Sequence, residues 1–355
     1  MADAPPPTPE ATPQPEPAEG GEASRAGAQA ALRRLWIGTS GWSYPDWRGV
    51  VYPKQTPRDF DHLAWMARFV DFIEINTSFY HLPTPAVVEG WAERARRIPR
   101  LTFAMKAWQG FTHPDPPPET GRGTPRPPAM TSGSLAEDAA IAAQRAVAGI
   151  LHDAGRLSAL LLQFPYTHRY NRQALDKLEQ LLEHFAGLPL SVEFRHRSWL
   201  GDDVFEVLGR HRAAFCNIDQ PRLLDNLPPT SLATAPLRYM RMHGRNHQAW
   251  FARNTNVEQR YSYLYSEEEL QPWATQALEL ASGGPTLWAF NNHGQGQALA
   301  NALMARAMTR ELAGLNAEDH PVVAPDILAD RYPVLRSLAD LLPTRRPDEQ
   351  LNLFD

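Results

Sequence analysis

The chain has 355 residues, of which 43% are hydrophobic and 21% charged, and a formal net charge of -5 at pH 7. This composition excludes a wholly disordered chain. The negative net charge argues against a globally basic nucleic-acid-binding protein, but it does not determine the local charge inside a cleft. No apolar run reaches the roughly 18 residues of a membrane-spanning helix, and no export signal opens the chain. With Cys216 as the only cysteine, no intrachain disulfide or thiolate metal cluster is possible, and we expect a cytoplasmic protein.

The first part of the chain differs in composition from the rest. Residues 1–34 are rich in Pro, Ala and Glu and have almost no large apolar side chain, which predicts a disordered tail. We expect a single domain over residues 35–312 and a C-terminal extension over residues 313–355.

Eight short runs of strand composition follow the tail, mostly alternating with helical patterns, as in a parallel sheet with crossover helices. They cover residues 35–39, 72–76, 101–107, 157–163, 190–195, 213–219, 237–243 and 286–291. Eight is the strand number of the α/β fold called the (β/α)8 TIM-type barrel, which is the predicted fold.

Local signals predict where the helices begin. A threonine before a proline, a capping-box pair and a capping asparagine each satisfy backbone amides at a helix start. The predicted first residues or caps are Thr56, Thr84, Ser134 (with Glu137), Asn171 and Ser266 (with Glu269). The Asn171 helix should end near Gly187. The proline-rich residues 114–128 predict a long loop after strand 3, and residues 221–234 show no clear helix, so the sixth crossover is predicted to be irregular.

Polar residues stand late in the strands, two positions apart, and therefore on one face of each strand. Glu74 and Asn76, Glu193 and Arg195, Arg241 and His243, and Asn217 and Asp219 form such pairs, and Lys106 and Asn291 occupy equivalent places. The carboxyl-terminal strand ends form the active-site face of a TIM barrel, so we expect these side chains to converge. For any one of them, a purely structural ion pair is the alternative.

Two segments resemble a known family. Residues 37–47 read IGTSGWSYPDW and residues 74–80 read EINTSFY, and both resemble the YecE-like proteins, the domain of unknown function 72 family. Other segments agree in order: Lys106-Ala107, Thr112-His113, residues 163–165, residues 192–196 with Trp199, residues 241–245 and residues 290–292. The resemblance covers about residues 35–312 and implies a TIM-type barrel, with no assigned reaction.

The expected cluster has more basic than acidic groups. Lys106, Arg195, Arg241 and Arg245 with His113, His196 and His243 outnumber Glu74, Glu193 and Asp219. A locally cationic cleft follows, and the planar fork of arginine suits carboxylate or phosphate. We therefore expect a small anionic or phosphate-containing ligand, for which a nucleic-acid-derived compound is one option.

The candidate catalytic residues are Glu74, Glu193 and His243. Opposed carboxylates in unequal environments can serve as acid and base. Arg195 lies beside Glu193 and favours the ionised form of that carboxylate. A purely structural Glu193–Arg195 ion pair is the alternative. Together with Asp219 these groups are also donors that a divalent metal accepts. No close-spaced ligand motif supports a metal, and no nucleotide-cofactor motif is present. Lys106 could form a Schiff base or, more simply, anchor phosphate.

The remaining candidates would bind substrate. Aromatic side chains near strand ends can stack a sugar or a base, with core packing as the alternative for at least half of Trp42, Tyr44, Trp47, Tyr80, Trp108 and Trp199. The full candidate binding set is Trp42, Tyr44, Asn76, Tyr80, Lys106, His113, Gln163, Arg195, His196, Trp199, Asp219, Arg241, Arg245, Asn291 and Asn292.

The last residues read QLNLFD, similar to the peptide by which bacterial replication and repair proteins bind the DNA sliding clamp. Gln350, Leu351, Leu353 and Phe354 would bind such a partner, and an apolar tail that docks on the barrel is the alternative. Two interpretations of the whole chain remain open. One is an acid/base or metal-assisted, hydrolase-type enzyme, and the other is a noncatalytic module that holds a ligand or nucleic acid.

Overall fold

The computed structural model describes residues 20–113, 135–222, 225–246, 261–316 and 321–342. Its centre is a closed barrel of eight parallel strands in the order of the sequence, in which the eighth strand pairs with the first. The strands are β1 (Leu35–Ser40), β2 (Phe72–Ile75), β3 (Thr102–Lys106), β4 (Leu157–Gln163), β5 (Leu190–Glu193), β6 (Ala214–Asp219), β7 (Arg238–Met242) and β8 (Thr286–Phe290). The TIM-type barrel is confirmed, because each predicted run coincides with one strand to within two residues at either end.

The barrel strands are apolar because both of their faces are covered. Helices cover the outside and side chains fill the inside, so almost every strand residue is buried. Gly38 allows β1 and β2 to approach closely, since a Cβ atom there would stand 1.9 Å from the carbonyl oxygen of Phe72. A larger residue at this position would push the two strands apart.

The outer layer consists of helices that precede, connect and follow the barrel strands. They are α1 (Gly20–Leu32), α2 (His62–Met66), α3 (Thr77–Tyr80), α4 (Pro85–Arg96), α5 (Gln109–Thr112), α6 (Leu135–Asp153), α7 (Arg172–His184), α8 (Asp202–Arg210), α9 (Glu267–Gly283) and α10 (Gln297–Leu312). Their apolar faces pack on the strands, as α6 does on β4 and α8 on β6. In the described part of the chain no helix has the length and apolar character needed to cross a membrane.

Most helix starts are as predicted. The side chain of Asn171 accepts the amide of Ala174, and Ser266 forms a complete capping box with Glu269. Helix α4 begins at Pro85, but the Thr84 side chain makes no cap hydrogen bond.

The predicted helix start at Thr56 is wrong. Helix α2 begins at His62, because the Asp61 carboxylate accepts two backbone amides, from Leu63 and Ala64, and is the stronger cap. Ser134 and residues 114–128 lie outside the described residues.

The sixth crossover is irregular, as predicted. Between β6 and β7 the described residues 220–222 and 225–237 contain no helix. The Asn217 side chain holds this connection: it accepts hydrogen bonds from the Thr230 hydroxyl and the Leu232 amide, and donates to the Leu232 carbonyl. These bonds satisfy backbone groups that a helix would otherwise pair internally.

The expectation of a disordered tail is wrong for Gly20–Leu32, which forms helix α1. This helix packs against α9 and α10, and Ala31 is buried in that contact. Alanine has the highest helix propensity, and its small side chain permits close packing, so the helix needs few large apolar residues. Residues 1–19 lie outside the described residues.

A small unit follows α10. Strands β9 (Val323–Pro325) and β10 (Asp340–Leu342) pair in parallel, and two short helices, α11 (Asp326–Arg331) and α12 (Leu335–Leu338), lie between them in the chain. Helix α12 packs against α10, so this unit is attached to the barrel wall. Residues 343–355, including the candidate clamp-binding peptide, lie outside the described residues.

Candidate functional site

Arg241 connects two carboxylates inside the barrel. Its Nη2 and Nε atoms donate to the two oxygens of Glu74 at 2.6 and 2.8 Å, and its Nη1 donates to Glu193. All three side chains are fully buried. Because strand side chains alternate, residues near the ends of β2, β5 and β7 point into the same interior, as the pairwise spacing predicted.

Further groups satisfy both carboxylates. Glu74 accepts hydrogen bonds from the hydroxyls of Tyr239 (2.7 Å) and Ser40 (2.8 Å). Glu193 accepts one from Arg195 Nε at 3.0 Å and lies 3.1 Å from His243 Nε2. Buried charges are tolerated in such a network because each has an opposite charge and hydrogen-bond donors in contact. We call Glu74, Glu193, Arg195, Arg241 and His243 the inner ion network.

Both carboxylates remain ionised. Burial by itself raises the pKa of Glu74, but the charges of Arg241 and Lys106 outweigh it and leave that pKa below its usual value. Burial likewise raises the pKa of Glu193, and Arg241, His243 and Arg195 together bring it well below the usual value. Neither carboxylate therefore carries a proton that it could donate near neutral pH.

His243 is neutral and has a defined tautomer. Burial lowers its pKa to about 3, although Glu193 opposes that change. Its Nε2 faces Glu193, which can only accept, whereas its Nδ1 lies 3.0 Å from Asn291 Nδ2, which can only donate. Nε2 therefore carries the hydrogen and Nδ1 accepts. Gln163 also joins, since its Oε1 lies 3.2 Å from Arg241 Nη1.

Lys106 stands beside the inner ion network without joining it. The side chain, at the end of β3, is 8% exposed, and its Nζ lies 4.1 Å from the centre of the Phe79 ring. Within the described ranges no carboxylate lies within 4.0 Å of the ammonium. Burial is the main cause that lowers the Lys106 pKa to about 7, and Arg241 lowers it further, against the opposing effect of Glu74 and Glu193.

The rim above Lys106 carries several of the predicted binding residues. Burial, with Lys106 nearby, lowers the pKa of His113 to about 4, so this imidazole is neutral. Asn76 Nδ2 donates to the Tyr44 hydroxyl at 3.3 Å, while its buried Oδ1 has no partner among the described residues. Tyr80 is 52% exposed, and Trp42 is half-buried, edge-on to the Trp91 ring. These side chains provide polar and aromatic surface at the carboxyl-terminal end.

Asp219 lies apart from the inner ion network. It shares a strand face with Asn217 and Phe215, and Phe215 packs against Phe205 of helix α8, so this face is the outer one. Arg245 binds both Asp219 oxygens, at 2.8 and 2.9 Å. The alternation of β6 places Asp219 toward the helices, and Arg245 binds it there, so the structure brings neither residue to the interior carboxylates.

Three other predicted binding residues have structural partners. His196 Nδ1 accepts the Ser198 amide at 3.1 Å and so begins a short 3-10 turn. Trp199 is fully buried and stacks on Phe194, with ring centres 4.3 Å apart. Asn292 donates to the Tyr263 carbonyl at 2.7 Å, on the side of α9.

Two partners of Glu74 were not singled out from the sequence. Tyr239 stands two residues before Arg241 and so shares its inward face, a spacing that would have indicated it. Ser40 stands two residues after Gly38 on β1 and so shares its strand face, but a single serine in a sequence does not indicate a functional partner.

The donor groups do not fit a divalent metal ion. In the described ranges no three His, Cys, Asp or Glu side chains form a group that could hold one. The Arg241 guanidinium occupies oxygens of both Glu74 and Glu193, which would otherwise be the ligands. Among the proposed donors, Asp219 lies on the outer face.

Comparison with known proteins gives one consistent result. A family model described as "Protein of unknown function DUF72" matches residues 36–324. The UPF0759 protein YunF of Bacillus subtilis (strain 168) is 26% identical over 294 residues, covering 79% of this chain and 97% of that protein. The crystal structure of a DUF72 family protein from Thermotoga maritima MSB8 is 29% identical with a TM-score of 0.62, covering 77% of this chain and 98% of that one.

A second solved structure agrees in fold. It is a DUF72 family protein from Enterococcus faecalis V583, 22% identical with a TM-score of 0.64, and the match covers 79% of this chain and 96% of that chain.

Proposed function

The chain belongs to the DUF72 family of proteins of unknown function, and we propose that it is an enzyme of hydrolase type, performing acid/base chemistry on a small anionic, phosphate-containing substrate. Its site is the carboxyl-terminal end of the barrel, where TIM-barrel enzymes hold their catalytic groups. The observation that carries the proposal is Lys106, a buried amine at a strand end whose ammonium has no carboxylate in contact among the described residues.

The charge balance of the site supports an anionic ligand. Glu74 and Glu193 are balanced by Arg195 and Arg241, and His243 is neutral. Lys106 in its protonated form is therefore an excess positive charge in a buried place, which is energetically costly. An anionic group bound beside Lys106 would remove that cost, and it would also raise the Lys106 pKa.

Proton transfer is assigned to Lys106 instead of the carboxylates. A pKa of about 7 provides both the amine and the ammonium at neutral pH, which is the condition for efficient general acid/base catalysis. Glu74 and Glu193 are held ionised and have no proton to give, so their role is to position Arg241 and His243. The neutral amine is also a competent nucleophile toward an electrophilic centre.

The experiment is a screen of purified protein with phosphatase, phosphodiesterase and nuclease substrates across pH 5 to 9. We expect a turnover signal whose pH profile has an inflection near 7 and which Lys106→Met abolishes. Lys177→Met, on the exposed face of α7, is the matched control and should retain full activity. Equal activity in the wild-type protein and Lys106→Met would refute the proposed role of Lys106.

If the protein is instead a noncatalytic ligand-binding module, a different result is expected with the same purified protein. A phosphate ester would then raise the melting temperature of the wild-type protein in a Lys106-dependent manner, with no turnover of any substrate class.

A further inference from the structure

A basic surface groove lies in the connection between β1 and β2, outside the inner ion network. It has a volume of about 460 Å³ and is lined by residues 54–58 together with Arg48, Phe60 and His62. The connection leaves the carboxyl-terminal end of β1, and helix α2, which begins at His62, leads back to the start of β2. The groove therefore belongs to the carboxyl-terminal end of the barrel, where binding sites of this fold lie.

A tight turn brings two of the basic residues of this groove together. Gly49 has a φ of +79°, which glycine adopts without strain, and its amide donates to the Tyr52 carbonyl at 2.8 Å. A Cβ atom on Gly49 would lie 3.7 Å from the Cβ atom of Lys54, so the turn is packed against the residues that follow it. Arg48 and Lys54 consequently line the same groove.

The lining carries three cations and no carboxylate. Arg48, Lys54 and Arg58 are exposed, and among the described residues no carboxylate lies within 4.0 Å of them. Two acids stand close in the sequence, but neither Asp59 nor Asp61 belongs to the lining, and Asp61 is engaged in capping helix α2. A positive local field follows in spite of the negative net charge of the chain.

Two rings give the groove an aromatic side. Phe60 and His62 are both partly exposed, and their ring centres lie 4.9 Å apart at an angle of 85°. The buried ring of Tyr52 supports both of them edge-on, at 5.9 and 4.7 Å. Burial lowers the pKa of His62, so its ring is uncharged at neutral pH. Cations beside aromatic rings are the arrangement with which proteins hold single-stranded nucleic acid.

We propose that this groove binds single-stranded nucleic acid, with successive phosphates on Arg48, Lys54 and Arg58 and a base stacked on Phe60. A strand offers one negative charge per nucleotide, so it can engage all three cations, whereas a small phosphate ester reaches only part of them. A duplex fits less well, because its bases are already stacked inside the helix. The proposal does not rest on the chemistry proposed for Lys106, since it concerns a different surface.

The test is fluorescence anisotropy of a labelled oligothymidylate of about ten nucleotides, within the usual size of such sites, titrated with the full chain over a range of salt concentrations. Each phosphate contact to a single strand contributes about 0.7 to the slope of log affinity against log salt. The variant that carries Arg48→Gln, Lys54→Gln and Arg58→Gln should therefore bind at least roughly tenfold more weakly, with a slope smaller by about 2.

A matched variant controls for the loss of net charge. Arg96→Gln, Arg172→Gln and Lys177→Gln together make the same charge change at exposed positions on α4 and α7, and should leave the affinity and the slope close to those of the wild-type protein. The three groove positions are also exposed, so circular dichroism should show both variants folded.

A duplex of the same length should bind more weakly than the single strand. No binding to the wild-type protein, equal losses in the groove and control variants, or a duplex bound as tightly as the single strand would each overturn the proposal.

Discussion

Arg241 is the residue on which the barrel interior depends most directly. Its guanidinium is fully buried and contacts Glu74 and Glu193 on two other strands. A buried ion pair adds little net stability, since desolvation offsets attraction, but removing one partner leaves an uncompensated charge. If Arg241 were lost, Glu74 would be left in that condition, whereas Glu193 would keep its ion pair with Arg195.

We predict that Arg241→Met lowers the free energy of unfolding by about 3–5 kcal/mol, the usual cost of breaking a buried pair from one side. Urea denaturation followed by circular dichroism measures the change. Arg172→Gln, which removes an exposed partner of Asp176, is the control and should have a far smaller effect. Similar losses in the two variants would contradict this account of the network.

A second residue-scale prediction concerns pH. The pKa of Lys106 is lowered from 10.5 to about 7 in the folded protein. Between those two pH values the unfolded chain binds a proton that the folded chain does not, so the contribution of Lys106 to stability rises with pH. Below pH 7 both states are protonated, and the full cost of burying the charge, roughly 5 kcal/mol at most, is present.

Lys106→Met removes that cost. Its free energy of unfolding should exceed that of the wild-type protein most below pH 7, and the difference should shrink toward pH 10.5. Denaturant titrations at a series of pH values measure it. Lys177→Met, at an exposed position on α7, is the control. A constant difference for Lys106→Met over the pH range would contradict the buried-charge account.

At the scale of elements, two helix starts show that a residue type favoured at the cap position does not always make the cap hydrogen bond. Asn171 and Thr84 both occupy cap positions, but only the Asn171 side chain accepts a backbone amide. Helix α4 still begins at Pro85, because the fixed φ of proline is already helical and its missing amide needs no partner.

We therefore predict that Asn171→Ala lowers the free energy of unfolding by about 1 kcal/mol, the usual value of a cap hydrogen bond. Thr84→Ala should cost much less, and it serves as the matched control because it removes a side chain at the same type of position. Thermal or urea unfolding distinguishes the two variants. If Thr84→Ala were as costly as Asn171→Ala, the cap bond would not be the cause.

Helix α1 shows a limit of composition at the same scale. Its apolar side chains are mainly alanines, so no amphipathic pattern indicates a helix that packs. Its partners α9 and α10 lie at the other end of the chain, and only the closed barrel brings them alongside. The helix is therefore stabilised by contacts that cannot be found locally.

At the scale of the whole molecule, charge is distributed unevenly despite a formal net charge of -5. The carboxyl-terminal end contains a balanced ion network with one additional amine. At the amino-terminal end, the described residues that line the cavity beside Asp71 include four arginines and that one aspartate. A cationic cleft was predicted from the sequence at the first of these ends, where Arg241 and Arg245 are in fact paired with carboxylates.

The C-terminal peptide concerns the whole molecule, because clamp binding requires a second protein. Gln350, Leu351, Leu353 and Phe354 match the clamp-binding pattern in the sequence and lie outside the described residues. We predict that immobilised sliding clamp retains the full chain and releases it when residues 351–355 are deleted. Equal retention of both forms would contradict the prediction. Arg172→Gln is the control for a change at the surface, and the clamp should retain this variant like the wild-type protein.

The sequence by itself determined the strand number, the barrel and the inward set Glu74, Lys106, Glu193, Arg241 and His243. This was possible because strand side chains alternate with period two, and parallel strands present their carboxyl ends at one edge. Only the tertiary structure decided which of these side chains are paired and which are ionised. Which carboxylate Arg241 holds, and whether Lys106 is paired, depend on distances across the barrel. It also decided that Asp219 faces outward and that α1 folds, since both follow from contacts between segments far apart in the chain.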